Sequence, residues 1–193
     1  SSCGAARHGQ AIYVADAAPG GHVIKRYDLD SGDMMYQSPV MPGFTLQNTP
    51  MVGPDGTVYL SRTQNNPNTD FFYAFEDTGS ALVEKWHVPA GWTTTSELAV
   101  GPDGSVYAMA PGNQLVRLNP ADGDIQDSAG AISNDGSPTA RIAIDDLGRL
   151  FFSNGEFSLG RVFSFDANLT ARWNVPVTNI NIGGPALGSC GTL

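Results

Sequence analysis

The sequence predicts an all-β chain built from four repeated units, and three observations carry that prediction. First, the phrase "GPDGTVYL" at 53–60 returns as "GPDGSVYA" at 101–108 and as "DDLGRLFF" at 145–152, and it opens once more as "GSCGTL" at 188–193. Second, the aromatics that follow the turns, Tyr13, Tyr59, Tyr107 and Phe151, fall 46, 48 and 44 residues apart. A fixed period of this size marks a chain of stacked units. Third, no segment carries a 3.6-residue apolar period over ten residues, so almost no helix is expected.

Each unit is written as strand after strand. In the second, "TPMVG" is a short apolar strand and "PDG" a turn, because Pro presets φ and Gly accepts φ > 0. "TVYLSR" is β-branched and aromatic and alternates, which reads as a strand. "DFFYAFED" is the third strand, "DTGS" the next turn, and "ALVEKWHVP" the fourth strand. The third unit supplies "ELAVG", "SVYAMA", "QLVRLNP", the turn "ADGD" and a weaker "IQDSAGAI". The fourth supplies "ARIAID", "RLFFSNG", "GRVFSFD", the turn "ANLT" and "ARWNVPV". The first lends "QAIYVADA", "HVIKRYDLD", the turn "DSGD" and "MMYQSPV". A second column holds Tyr27, Phe75, Leu118 and Phe165, and a third holds Tyr36, Trp86 and Trp173. Trp86 and Trp173 are expected to pack between units.

Four antiparallel strands in about 45 residues is the pattern of a β-propeller blade. One four-stranded sheet cannot cover both of its apolar faces, so neighbours must cover them. The expected fold is therefore a single β-propeller domain, residues 1–193. Its units span 1–46 plus a closing strand at 183–193, then 47–94, 95–138 and 139–182. A β-sandwich also uses short strands and turns, but it has no need of one phrase at a fixed period. The second unit resembles the PQQ-like, quinoprotein-type propeller repeat in Gly53–Gly56, Val58, Tyr59, Tyr73, Ala74, Phe75, Thr78, Gly79 and Trp86. Units one and four match it less fully, and unit three lacks the Trp.

How the units close is left open by the sequence. The C-terminal "GGPALGSCG" reads as an innermost strand, and "QAIYVADA" is a second strand in need of one. The N-terminal "SSCGAARHG" occupies the same register, so two segments compete for one slot. Pairing of the terminal strands would close a four-bladed ring and protect its edges. Two chains could instead build an eight-bladed ring, or the chain could be part of a larger propeller. Strand exchange between subunits would give an open polymer where the rotation does not close. The two cysteines, Cys3 and Cys190, stand at opposite ends of the chain and have only each other as disulfide partners. Such a bridge suits an oxidising compartment and, closing so long a loop, would stabilise by about 5 kcal/mol on chain-entropy grounds.

Composition narrows the function. Apolar residues make up 41% and charged residues 15%, a folded composition, and the net charge is −9 with Lys25 and Lys85 the only lysines. A nucleic-acid partner would call for a basic stripe, which is missing, and no run of 18 apolar residues is present to span a membrane. The first residues, without an initiator Met, read as a processed or trimmed start. Secreted, periplasmic or cell-surface placement is therefore expected.

Catalytic patterns are absent from the sequence. His8, His22 and His87 are scattered without zinc-ligand spacing. No G-x-S-x-G occurs, no GxGxxG opens a helix, and there is no P-loop. The Asp-rich stretches at 28–33, 120–127 and 143–148 fall at hairpin positions and lack the ligand set of a calcium loop, so they read as turns. The enzymes that share the resembled repeat bind PQQ, usually beside Ca2+ and near a Trp. They are much longer than this chain and often carry an adjacent cysteine pair, which is missing here, so neither cofactor is assigned.

The favoured reading is a non-enzymatic structural or binding module for protein or carbohydrate, with self-association as a further expectation. The alternatives are a fragment or subunit of a PQQ-dependent dehydrogenase or metal-dependent hydrolase, and a strand-exchanging subunit of an extracellular assembly. Long polar loops gathered on one face of a rigid scaffold commonly carry recognition. They supply the candidate ligand residues Gln47, Asn48, Trp92, Thr94, Glu97, Arg141 and Asn179, with Trp92 either stacking on a ligand or plugging the channel mouth, and Glu97 and Arg141 facing the channel as an ion pair. "NLT" at 168–170 makes Asn168 a glycosylation sequon.

Overall fold

The computed structural model describes residues 4–42, 49–65, 68–91, 98–110, 114–132, 141–156, 159–177 and 185–187. Among them every regular element is a strand, and the strands form four antiparallel sheets. The first sheet contains β1 (Ala5–His8), β2 (Ala11–Ala18), β3 (Gly21–Asp28), β4 (Met34–Gln37) and β5 (Met41–Pro42). The second contains β6 (Met51–Val52), β7 (Val58–Asn65), β8 (Asn68–Asp77) and β9 (Leu82–Gly91). The third contains β10 (Ala99–Val100), β11 (Val106–Ala110), β12 (Gln114–Leu118) and β13 (Ile125–Ala131). The fourth contains β14 (Ala143–Ile144), β15 (Leu150–Glu156), β16 (Leu159–Phe165) and β17 (Ala171–Val177). Strands follow one another across each sheet in chain order, as short turns require.

Two compact units divide the chain. One comprises Ser1–Thr94 with Pro120–Gly123 and so holds the first two sheets. The other comprises Thr95–Asn119 with Asp124–Leu193 and holds the last two. In the first unit the innermost strands β1 and β6 approach each other, and in the second β10 and β14 do the same. Each unit has its own core. Tyr13, Ile24, Leu60, Tyr73 and Phe75 pack in the first, and Tyr107, Leu115, Phe152, Phe163 and Phe165 in the second. Burying side chains of this size contributes about 1.5–3 kcal/mol each.

The competition for the edge of β2 has a winner. Ala5–His8 pairs with it from Ala5↔Val14 to His8↔Ala11, so the N-terminal segment supplies the innermost strand of the first sheet. Of the expected closing strand at 183–193, residues 185–187 are described and form no strand, and the rest lies outside the described residues. Cys3 and Cys190 lie outside them as well.

The repeated phrase has a repeated geometry. In the turns before β7, β11 and β15, the N–H groups of Gly53, Gly101 and Asp145 donate to the carbonyls of Thr57, Ser105 and Arg149 at 2.9, 2.8 and 3.1 Å. Gly56, Gly104 and Gly148 take φ of 84°, 85° and 75°, a region open to glycine at little steric cost. The aspartates of these turns serve the turns. Asp55 accepts from Thr57 N–H and Oγ, Asp103 from Ser105 N–H and Oγ, and Asp145 from the N–H groups of Leu147 and Arg149. Asp28 does the same for Asp30 and Ser31.

A second regularity was not expected from the sequence. Between the third and fourth strands every sheet carries a register shift at a corresponding position, Arg26/Tyr27, Ala74/Phe75, Arg117/Leu118 and Ser164/Phe165, and the second and third sheets carry one more each, at Asp70/Phe71 and Gln114/Val116. A bulge there sharpens the local twist just before the hairpin turn. The outer strand of the first sheet is also interrupted, since β4 and β5 pair with successive stretches of β3. Ser38 bridges the gap: its N–H donates to Ile24 O and its Oγ accepts from Ile24 N–H, both at 2.9 Å.

Candidate functional site

Antiparallel register lines up one row of side chains across the second, third and fourth strands of each sheet. The rows are Tyr13–Arg26–Tyr36, Tyr59–Ala74–Trp86, Tyr107–Arg117–Asp127 and Phe151–Ser164–Trp173. Their chemistry follows from the middle residue. Over small Ala74 and Ser164 the flanking aromatics lean together, Tyr59 and Trp86 at 6.0 Å and Phe151 and Trp173 at 6.1 Å between ring centres. Where the middle residue is Arg, the outer one complements it. Arg26 lies 5.3 Å from the centre of the Tyr36 ring, and Arg117 pairs with Asp127 at 3.6 Å.

The ends of these rows reach the turn between the third and fourth strands of another sheet. Tyr13 Oη donates to Asp77 Oδ2 at 2.6 Å and Tyr36 Oη to Asp77 Oδ1 at 2.5 Å. Arg26 Nε stands 3.4 Å from Asp77 Oδ2, and Gly79 N–H donates to Oδ1 at 2.8 Å. In the same unit, Trp86 Nε1–H donates to Pro120 O at 3.0 Å. In the other unit, Tyr107 Oη donates to Ala167 O at 2.8 Å.

The Asp77 cluster lines an open cleft of about 250 Å3, shared with His8, Gln10 and Asp55. Burial alone would raise the Asp77 pKa, but the two phenols, Gly79 N–H and Arg26 outweigh it and hold the carboxyl below its ordinary value of 3.8. Burial, then the bonded carboxylate, pushes Tyr36 up to about 12 and Tyr13 higher still. At neutral pH the cluster therefore holds the Asp77 carboxylate between two neutral phenols whose protons are already engaged, and Asp55, also held below its ordinary value against the pull of burial by its bonds from Thr57, is a second carboxylate of the cleft. Such a cluster clasps two sheets and is unsuited to relaying protons.

Of the residues expected from sequence, Gln47, Asn48, Trp92, Thr94, Glu97 and Asn179 lie outside the described residues. Arg141 is exposed just ahead of β14. Asn168 is exposed in the turn between β16 and β17, where its Oδ1 accepts from Thr170 N–H at 3.3 Å. Trp86 is buried as expected, at 7% exposure. Trp173, expected to pack between units, is instead 38% exposed. Its partner Phe151 covers one face of the ring, with the ring centres 6.1 Å apart. Sequence reasoning missed the Asp77 clasp, though an Arg at the middle of one row and an Asp opening the longest hairpin were its visible signals.

No family profile matches the chain, and no curated protein matches it. Solved structures do. BamB from Moraxella catarrhalis superposes with a TM-score of 0.61 at 12% identity, over 90% of this chain and 47% of its own. Regucalcin from Agrobacterium tumefaciens, described as a calcium-binding protein, gives 0.57 at 14% identity over 88% of this chain and 58% of its own. A prolyl endopeptidase gives 0.58 at 16% identity over 90% and 27%. The fold is a β-propeller. Its four sheets are blades, consistent with a four-bladed propeller or with part of a larger one, and the chain spans 27–58% of the length of these three structures. The propeller neighbours include binding proteins and enzymes, so the likeness shows the fold alone. No helix of the described residues is long and apolar enough to cross a membrane.

Proposed function

We propose that the chain is a binding module: a non-enzymatic propeller of the PQQ-like repeat class, working at a secreted, periplasmic or cell-surface location. The observation that supports this reading is the Asp77 clasp. The Asp77 carboxylate at the described cleft is engaged in joining two blades, with Tyr13, Tyr36, Arg26 and Gly79 around it, and the Asp55 carboxylate there is bonded within its own turn. Its chemistry serves the stiffness of the scaffold. A stiff scaffold is what long recognition loops need, because a preorganised surface loses little entropy on binding. The loops around Gln47, Asn48, Trp92, Thr94, Glu97, Arg141 and Asn179 form the proposed recognition surface, and the ligand is a protein or carbohydrate that stacks on Trp92. Asn168, exposed in its turn, is a proposed glycan acceptor.

Glycan and peptide arrays probed with the purified protein test the reading. The expected result is a defined ligand class whose binding falls at least about tenfold in Trp92→Ala, as for a central aromatic anchor. Absorbance of bound quinone, or a stoichiometric metal in the purified protein, would replace this reading with an enzymatic one.

A further inference from the structure

The layer between the first two sheets holds a cation at each end. Alternation along the strands places His22, Ile24 and Arg26 on one face of β3, and Val58, Leu60 and Arg62 on one face of β7. Ile24, Val58 and Leu60 belong to one core, so both sets face the same interior. At one end Arg26 meets the Asp77 carboxylate. At the other end Arg62 is 1% exposed and His22 7% exposed. Arg62 Nη1–H donates to Pro42 O at 2.8 Å, and the guanidinium lies 5.9 Å from the centre of the Tyr73 ring.

Strand β5 lies across this second end. Its two residues, Met41 and Pro42, pair with His22 and Gly21 of β3. The approach is close: a Cβ on Gly21 would stand 1.9 Å from Met41 O, so the pairing requires glycine there. Met41 is 1% exposed and packs in the core with Ile24 and Leu60. By comparison, β3 holds eight register pairs with β2, and β7 holds eight with β8. The two-pair strand is therefore the piece of this junction that opens most readily.

The charge of His22 bears directly on that junction. Burial, then the Arg62 charge, lowers its pKa from the ordinary 6.5, and the Asp16 charge opposes them. Asp16 belongs to β2, beside Ala17, the pairing partner of His22, and is itself held by Lys25 of β3. From β8, Tyr73 lies against Arg62. His87 of β9 stacks on Tyr73 at 5.3 Å, with Glu84 Oε1 at 2.7 Å from its Nδ1, so a proton on that ring has a carboxylate beside it. Met41 and Pro42 bring no charge. A proton on His22 is thus carried into a dry layer next to a guanidinium that stays charged.

We propose that His22 is a proton-operated latch on β5: uncharged, it lies beside Arg62 and lets Met41 and Pro42 seat; charged, it unseats them. With the folded value lowered, the seated form is favoured above the ordinary 6.5 and is lost as pH falls through the folded value. The chain runs on from β5 to Gln47 and Asn48, so acid would alter the recognition surface proposed above. That consequence rests on the binding-module reading; the latch does not, and its test reads no ligand.

Methionine oxidation by hydrogen peroxide, mapped by mass spectrometry from about pH 7.5 to about pH 5, tests it. Peroxide passes one oxygen atom to an accessible thioether and leaves water. Met41 reports the seating of β5, Met109, 1% exposed in the third sheet, reports unfolding elsewhere, and the half-exposed Met34 and Met35 report the oxidant itself. The expected result is a rise of about fivefold or more in the Met41 rate relative to Met109 as the pH falls, abolished in His22→Gln. Were that variant not to fold, the parent profile alone would decide, since Met41 must respond while Met109 does not. A flat Met41 rate, a parallel rise of Met41 and Met109, or a rise that persists in His22→Gln would each overturn the proposal.

Discussion

Tyr13 and Asp77, 64 residues apart in sequence, share a 2.6 Å hydrogen bond that ties the second strand of one blade to a turn of the next. A hydrogen bond to a charged group contributes about 1.5–3 kcal/mol when buried. Tyr13→Phe is therefore expected to lower the free energy of unfolding by about 2 kcal/mol. In a double-mutant cycle with Asp77→Asn, urea denaturation should show strong non-additivity, since both changes remove one interaction. Additive losses would mean that the bond carries no coupling energy.

The same clasp predicts an acid-sensitive window. The folded-state pKa of Asp77 lies below its ordinary 3.8, so the folded chain holds the carboxylate more readily than the unfolded chain does. The stabilisation is full above that ordinary value and is lost as pH falls through the depressed folded value. Stability of the parent chain measured by urea from pH 6 downward should drop more steeply below about pH 4 than that of Asp77→Asn. Parallel curves would remove Asp77 from the acid transition.

Alkali acts on the partners. Tyr13, Tyr36 and Tyr59 are all raised, burial being the largest cause in each, with Tyr36 and Tyr59 at about 12. A raised folded pKa gives stability that is present below the ordinary value of 10.0 and lost as pH climbs through the folded one. Phenolate absorbance near pH 11 should therefore leave these three tyrosines silent in the folded chain and reveal them on unfolding.

Two glycines of nearly equal backbone angle separate strain from crowding. Gly79 at φ 84° has open space where a Cβ would stand, whereas Gly123 at φ 81° faces the Trp86 ring. Gly79→Ala should cost about 1 kcal/mol from backbone strain alone. Gly123→Ala should cost about 1–3 kcal/mol more, as overpacking does. Thermal melts that give the two variants equal losses would contradict the packing of Trp86 on this turn.

Leu169 occupies a glycine-like place. It stands before the closing residue of its turn, as Gly32 and Gly123 do in theirs, and takes φ 63°. It is only 6% exposed and belongs to the core with Phe163 and Phe165. Leu169→Gly removes about 1–2 kcal/mol of strain but forfeits about 2–5 kcal/mol of packing. A net fall in melting temperature is expected, and a rise would show that strain dominates.

Much of this fold was legible because strand pairing is local. Tyr59, Gly56 and Trp86 mark a turn, a strand and its neighbour within one unit, and period-two patterning needs only adjacent residues. The slot beside β2 was ambiguous because "SSCGAARHG" and "GGPALGSCG" are equally short and weakly apolar, so no burial term separates them before pairing partners are known. The clasp was hidden for a different reason. Tyr13, Arg26, Tyr36 and Asp77 have no common spacing, and they meet only when two sheets pack face to face. The common bulge beside Tyr27, Phe75, Leu118 and Phe165 was equally invisible, since a register slip leaves no composition of its own.

The outer strands carry one further consequence. Pro39 falls in the break between β4 and β5, Pro89 lies in β9 and Pro176 in β17. None of these positions has an amide hydrogen to offer a strand arriving from outside. Blade rims built this way resist runaway sheet growth, the route by which exposed strands turn into fibrils.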